Sequence, residues 1–320
     1  MPGMALTLWP LIDDQKCFQT VRKLRWPEGI QCPHCESRQV TKRGFDDTQK
    51  ERQRDRCGGC DCEFDDLTGT VFAGHHQPLR VWILCLYFMG LNLSNSQIAQ
   101  ELELDPDSAQ DMATQLRQGI LAKQPAVVLS GEVECDEVYV VAGHKGHPEA
   151  VKKRRKCRRR RLKGNRGRST LAKEKPPILG MIQRSGEVVL NMLANVQQAT
   201  IAPFLKATIA LGTTVDTDEY DIYSRLKEWG YKHLTVNHGK KEYARDDDGG
   251  DGFHEVHVNT MEGFWSLLRS WLRPHRGLSP EKLPIYLAFF QFVHNARKRG
   301  KALLESLITS LVASPPRITE

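Results

Sequence analysis

Residues 131–140 read GEVECDEVYV, and the reading of this stretch decides the fold. Val133 and Cys135 alternate with Glu134, Asp136 and Val138, which is the two-residue period of a strand with two different faces. An ionised aspartate in the middle of an apolar strand costs several kcal/mol unless it is paired or bound to metal. Asp136 is therefore either a functional acid or an edge-strand acid turned to solvent. Downstream, strands are expected at 178–183 and 188–196, joined into a hairpin by Arg184-Ser185-Gly186. A helix at 199–211, a strand at 213–218, a helix at 221–229 and a strand at 233–238 follow. Helices at 260–273 and 281–298 complete the pattern. Strands that alternate with helices in this way imply an α/β domain.

Two further acids stand out by position. Asp218 closes the strand of VDTDEY, and acids at strand ends face the crevice where α/β proteins place their sites. It could equally be a helix N-cap, and Asp216 on the same strand face is a rival. Glu262 begins the helix of NTMEGFWSLLRSW, whose apolar stripe is Met261, Phe264, Trp265, Leu268 and Leu272. Glu262, Ser266, Arg269 and Arg273 form the polar face, with Glu262 and Arg269 about two turns or ~10 Å apart. The alternative for Glu262 is a capping box with Asn259 at N-cap. Asp246, Asp247, Asp248 and Asp251 read as a solvated loop.

Upstream of the strand domain the texture is different. Cys32-Pro-His-Cys35 and Cys57-Gly-Gly-Cys60 are two C-x2-C knuckles. Four thiolates at that spacing give the closed tetrahedral site of structural zinc, and one zinc ion is expected there. Cys62 is a substitute ligand or a bystander. A short helix precedes the knuckles around Cys17, Phe18, Val21 and Leu24. After them, residues 78–121 read as helical, with two short helices around a tight turn in the manner of a helix-turn-helix.

Charge identifies the partner class. Residues 144–175 hold 15 Lys and Arg against Glu149 and Glu174, a net +13 that leaves −6 on the rest of a +7 chain. Such a segment suits phosphate contacts, so DNA is the expected partner and disorder its expected state when free. Arg154, Arg155, Arg158, Arg159, Arg160 and Arg161 are the expected DNA-binding residues within it, joined by Arg269. No apolar run reaches the ~18–20 residues that span a bilayer, and the N-terminus lacks a basic flank followed by an apolar core. A membrane partner is excluded on this reading and the cytoplasm is the expected compartment.

Taken together, the segments resemble the zinc-ribbon DDE transposases of bacterial insertion sequences, the ISXO-like group, over roughly residues 15–300. CPHC followed by RCGGCDCEFDDLTGTVFAGHHQPLRVWILCLYFM resembles that family's ribbon and following helix. GEVECDEVYV resembles the strand of its first catalytic acid, VDTDEYDIY that of its second, and YKHLTVNHGKKEYAR with HVNTMEGFWSLLRSWLRPHRG the segment leading to its third. The resemblance implies that Asp136, Asp218 (rather than Asp216 or Glu219) and Glu262 are catalytic and hold two Mg²⁺ or Mn²⁺ ions. It also implies an α/β RNase H-like core, a mixed sheet flanked by helices, behind a zinc ribbon and a small helical region. The expected domains are 1–72 for the N-terminal helix and ribbon, 73–125 for the helix-turn-helix-like region, 126–300 for the catalytic domain with its basic insertion, and 301–320 for a tail. The implied activity is metal-dependent strand cleavage and transfer at the element's terminal inverted repeats and in target DNA, by a homo-oligomer assembled on DNA. Where that family commonly carries lysine, this chain has Arg269. The second reading is a non-catalytic or domesticated DNA-binding protein, and a third is a nuclease that hydrolyses without joining.

Overall fold

A computed structural model describes residues 13–142, 175–236, 244–245, 256–275, 277–298 and 302–313. The chain divides into two compact units, 1–124 together with 299–320, and 125–298.

The first unit begins with α1 (Asp14–Arg25), whose N-cap Asp13 accepts from the Lys16 amide. A three-stranded antiparallel sheet follows, β1 (Val40–Phe45), β2 (Gln53–Cys57) and β3 (Glu63–Asp65), in that spatial order. Its apolar cluster is small, with Cys32, Cys57 and Phe64 buried and Trp26, Ile30, Val40 and Cys60 partly so. Charge pairs tie it to α1: Arg22 Nε donates to Asp66 Oδ1 (2.6 Å) and Arg22 Nη2 to Asp55 Oδ2 (3.2 Å). Helices α2 (Leu79–Gly90), α3 (Asn95–Glu101) and α4 (Pro106–Lys123) come next. Ser94 and Gln97 close a capping box on α3, and Asp105 with Pro106 starts α4, so each helix begins at its own stop-and-start signal. Residues 303–312, expected to lie in a tail, form α8 (Leu303–Val312), a helix that buries Leu304, Leu307, Ile308, Leu311 and Val312. Its apolar residues recur at helical spacing, and it packs on α1, α2 and α4.

The second unit is built on a five-stranded sheet of β4 (Glu132–Tyr139), β5 (Pro177–Gln183), β6 (Val188–Met192), β7 (Thr214–Asp218) and β8 (Lys232–Val236). Their spatial order is β6-β5-β4-β7-β8. β5 runs antiparallel to both of its neighbours, β4 and β6, while β7 and β8 run parallel to β4. β4 is thus the central strand, which removes the reading of Asp136 as an edge acid. Ser185, at φ +58°, makes the hairpin turn between β5 and β6. One sheet face packs against α5 (Gln198–Thr208) and the segment through Tyr223 and Leu226. That segment, expected as a helix over 221–229, is only a 3-10 turn at Asp221–Tyr223, continued by turns to Gly230. The other face packs against α6 (Asn259–Leu272) and α7 (Leu283–Lys298).

The edge strand β6 is sealed by side chains rather than by another strand. Asn295 of α7 accepts from Val188 N–H and donates to Val188 O, both at 2.9 Å, and Gln291 accepts from Leu190 N–H at 2.8 Å. Two amides one helical turn apart thus satisfy the groups that an open edge would offer to another chain.

Candidate active site

The face of β4 that carries Glu134, Asp136 and Val138 is the face covered by α6. In the parallel pair, Glu134 stands beside Asp216. The same register, carried two residues on, sets Asp136, in the middle of β4, beside Asp218 at the C-terminal end of β7. Across the antiparallel pair, Asp136 is opposite Gly180 of β5. The absence of a side chain there is required: a Cβ would stand 2.6 Å from Trp265 Cζ2 and 3.0 Å from Met261 Sδ. Trp265 therefore lies against the sheet, and its Nε1–H donates to Asp136 Oδ2 at 2.9 Å. Sequence periodicity places Trp265 only in an apolar stripe; its hydrogen bond depends on Gly180, in another element.

Glu262 lies on the same helix as Trp265 and is exposed, as are Ser266, Arg269 and Arg273. The capping box with Asn259 does not form. Val258 occupies the N-cap without a side-chain bond, and Glu262 N–H bonds to Val258 O at 3.1 Å inside the helix.

Burial raises the Asp136 carboxyl above the usual range, the Trp265 bond lowers it, and the charges of Asp218 and Glu262 raise it again. That mutual repulsion is the electrostatic sign that three acids from β4, β7 and α6 share one locality. No Lys, Arg or His forms an ion pair with any of the three among the described residues. They do not draw together to within 4.8 Å, as the ribbon sulfurs do. Three carboxylates offer the hard oxygen donors that Mg²⁺ or Mn²⁺ takes.

Asp216, the rival acid, belongs to a different arrangement. It is buried, and burial pushes its carboxyl up to about 7, against the pull of Arg184 and with the push of Glu134 and Glu132. Arg184 Nη2 donates to Asp216 Oδ2 at 3.0 Å. An acid already engaged by a guanidinium is a poor metal ligand, which distinguishes Asp216 from Asp218 at the end of the same strand.

In the ribbon, the four cysteine sulfurs lie within 4.8 Å of one another, with Cys32–Cys60 at 3.6 Å and Cys35–Cys57 at 3.4 Å. A tetrahedral zinc with ~2.3 Å bonds sets its sulfurs ~3.8 Å apart, so the cluster fits zinc. Both knuckles close the same way. Glu36 and Asp61, at φ +62° and +60°, each follow a second cysteine and return an amide to Cys32 O and Cys57 O. The amides of Cys60 and Gly59 lower the Cys57 thiol, favouring the thiolate that a metal needs, while burial raises Cys32 beside it. Cys62 is outside the cluster, its Sγ directed to Cys60 O at 3.6 Å. Arg154, Arg155, Arg158, Arg159, Arg160 and Arg161 lie outside the described residues, as does the 246–252 loop.

With this geometry in place, known proteins can be compared. The model of the ISXO2-like transposase domain matches residues 128–295, and that of the transposase zinc-ribbon domain matches residues 12–63. The chain belongs to the ISXO2-like transposase family. It is similar to an uncharacterized protein in transposable element ISH50 of Halobacterium salinarum, 33% identical over 301 residues, 93% of this chain and 96% of that one. An uncharacterized transposase-like protein of Haemophilus influenzae is 23% identical over 124 residues, 38% of this chain and 94% of that one. A solved simian T-cell lymphotropic virus intasome aligns with 66% of this chain and 68% of its own at 8% identity and a TM-score of 0.28, too low to bear on the fold. No helix among the described residues is long and apolar enough to cross a membrane.

Proposed function

We propose that this transposase-family chain is an active enzyme that binds the ends of an insertion sequence, cleaves them and joins them to target DNA. The observation that supports this reading is the placement of Asp136 and Asp218 on two neighbouring parallel strands, with Glu262 on the helix packed across β4. The strand order β6-β5-β4-β7-β8, with an antiparallel trio followed by two parallel strands, supports an RNase H-like core. The three acids would hold two Mg²⁺ or Mn²⁺ ions, which when bound activate the attacking water or DNA 3′-hydroxyl and stabilise the leaving oxygen. Trp265 fixes the orientation of the Asp136 carboxylate, and the fit of its ring over Gly180 holds α6, with Glu262, on the sheet. Arg269, exposed two turns along from Glu262, contacts a DNA phosphate on this reading. The segment 144–175 tracks the backbone and offsets the acids' repulsion of DNA. Assembly on DNA as a homo-oligomer and the helix-turn-helix reading of α3 and α4 belong to the same proposal.

The test is joining of a labelled terminal inverted-repeat oligonucleotide to a supercoiled plasmid. Joined product that appears with Mg²⁺ or Mn²⁺ and is abolished by chelation is the expected outcome. Metal-dependent nicking without joined product would reduce the protein to a nuclease. DNA binding without either would make it a non-catalytic binder.

A further inference from the structure

Beneath the three acids, one residue pair along the strands, lies a buried polar network that the proposed chemistry does not use. Arg184, at the start of the β5–β6 turn, has a side chain only 17% exposed, and its guanidinium makes four hydrogen bonds. Nε donates to Glu134 Oε1 (3.1 Å), Nη1 to Glu132 Oε2 (2.7 Å), and Nη2 to Asp216 Oδ2 (3.0 Å) and to the His257 carbonyl (3.2 Å). It thereby ties together β4, β7 and the chain entering α6, the elements that carry Asp136, Asp218 and Glu262.

Glu134 completes the connection. Its side chain is fully buried, and its second oxygen, Oε2, accepts from Met261 N–H at 2.9 Å. Met261 is the third residue of α6, whose first turn has no side-chain cap of its own. Helix starts need acceptors for their free N–H groups, and a carboxylate also suits the positive end of the helix dipole. Here the acceptor comes from the neighbouring strand, two residues from Asp136 and one residue before Glu262 in the helix. Arg184 in turn holds the Glu134 carboxylate in place through Nε.

Resting on the active-enzyme reading above, we infer that Glu134 and Arg184 are positioning residues: a clasp that sets the first turn of α6, and so Glu262, at the height of Asp136 and Asp218. Neither touches the ions. Polar partners that orient metal ligands typically govern about 10–100-fold in metal affinity, which is the size of effect expected.

The experiment is a Mn²⁺ titration of the zinc-loaded full chain, followed by calorimetry, on wild type, Glu134→Gln, Arg184→Lys, Glu262→Gln and the double variant Glu134→Gln/Glu262→Gln. Glu134→Gln keeps the size and one acceptor but sets an amide against Arg184. It is expected to weaken Mn²⁺ binding at least about tenfold and to speed hydrogen exchange at the Met261 amide, with DNA affinity unchanged. Arg184→Lys is expected to fall between wild type and Glu134→Gln. On the Glu262→Gln background the Glu134 change is expected to add less than about twofold, because the residue to be positioned has lost its charge. Native Mn²⁺ affinity in Glu134→Gln would overturn the clasp, and so would an equal loss on both backgrounds, which is the signature of general destabilisation. Wild type and Glu262→Gln binding Mn²⁺ alike would instead overturn the metal-site reading, and the clasp with it.

Discussion

Asp136→Asn, Asp218→Asn and Glu262→Gln are each expected to lower the rate of strand cleavage and joining at least ~10³-fold, a loss of about 4 kcal/mol at ~1.4 kcal/mol per factor of ten. Each substitution keeps the shape of the side chain and removes one negative charge from the locality where the three acids repel one another. Folding and DNA binding should persist, since Glu262 is exposed and the amide at 136 can still accept from Trp265. Arg269→Ala should be milder and act on DNA affinity. The assay is cleavage and joining at fixed salt with added Mg²⁺. A Glu262→Gln variant with wild-type rates would remove Glu262 from the site. Its dispensability could not be put down to a cap, because Val258 and not Asn259 holds the N-cap.

The second large effect is in the ribbon. Cys57→Ser is expected to take bound zinc from about one ion per chain to near none and to unfold residues 26–65. Structural zinc contributes apparent energies of ~10–16 kcal/mol in zinc-finger peptides. The ribbon's own apolar cluster, in which Phe64 is the one large side chain that is buried, cannot replace that. Metal analysis and limited proteolysis read the outcome, with residues 125–298 expected to stay protected. Cys62→Ser should keep its zinc. A Cys57→Ser protein with full zinc would mean that Cys62 had taken the vacant position.

How much of this was legible in the sequence depended on how local each feature is. The alternation through 132–139 is a local property, so Asp136 and the face it shares with Glu134 and Val138 could be read directly. The knuckles are local too, and their four sulfurs do gather. Asp218 could be placed at a strand end, but its advantage over Asp216 came from resemblance. The structural reason is tertiary: Asp216 is engaged by Arg184, 32 residues away. The start of α6 lies within one residue of its expected place, but the alternative Asn259 cap does not form; the acceptor in place of a local cap is Glu134, 127 residues away. Gly180 gave no signal beyond a glycine in a strand, because its meaning lies in the ring of Trp265 packed over it. The segment 303–312 did carry a helical repeat; what the sequence could not show was the apolar surface of α1, α2 and α4 on which that repeat is buried.

The most direct test is anomalous diffraction at the manganese edge from crystals of the zinc-loaded protein with end DNA and Mn²⁺. The account predicts two manganese peaks ~3.5–4 Å apart, each within ~2.0–2.3 Å of a carboxylate oxygen, with Asp136, Asp218 and Glu262 all serving as ligands. Peaks held by the acidic loop 246–251, with Asp136 and Glu262 bare, would contradict it.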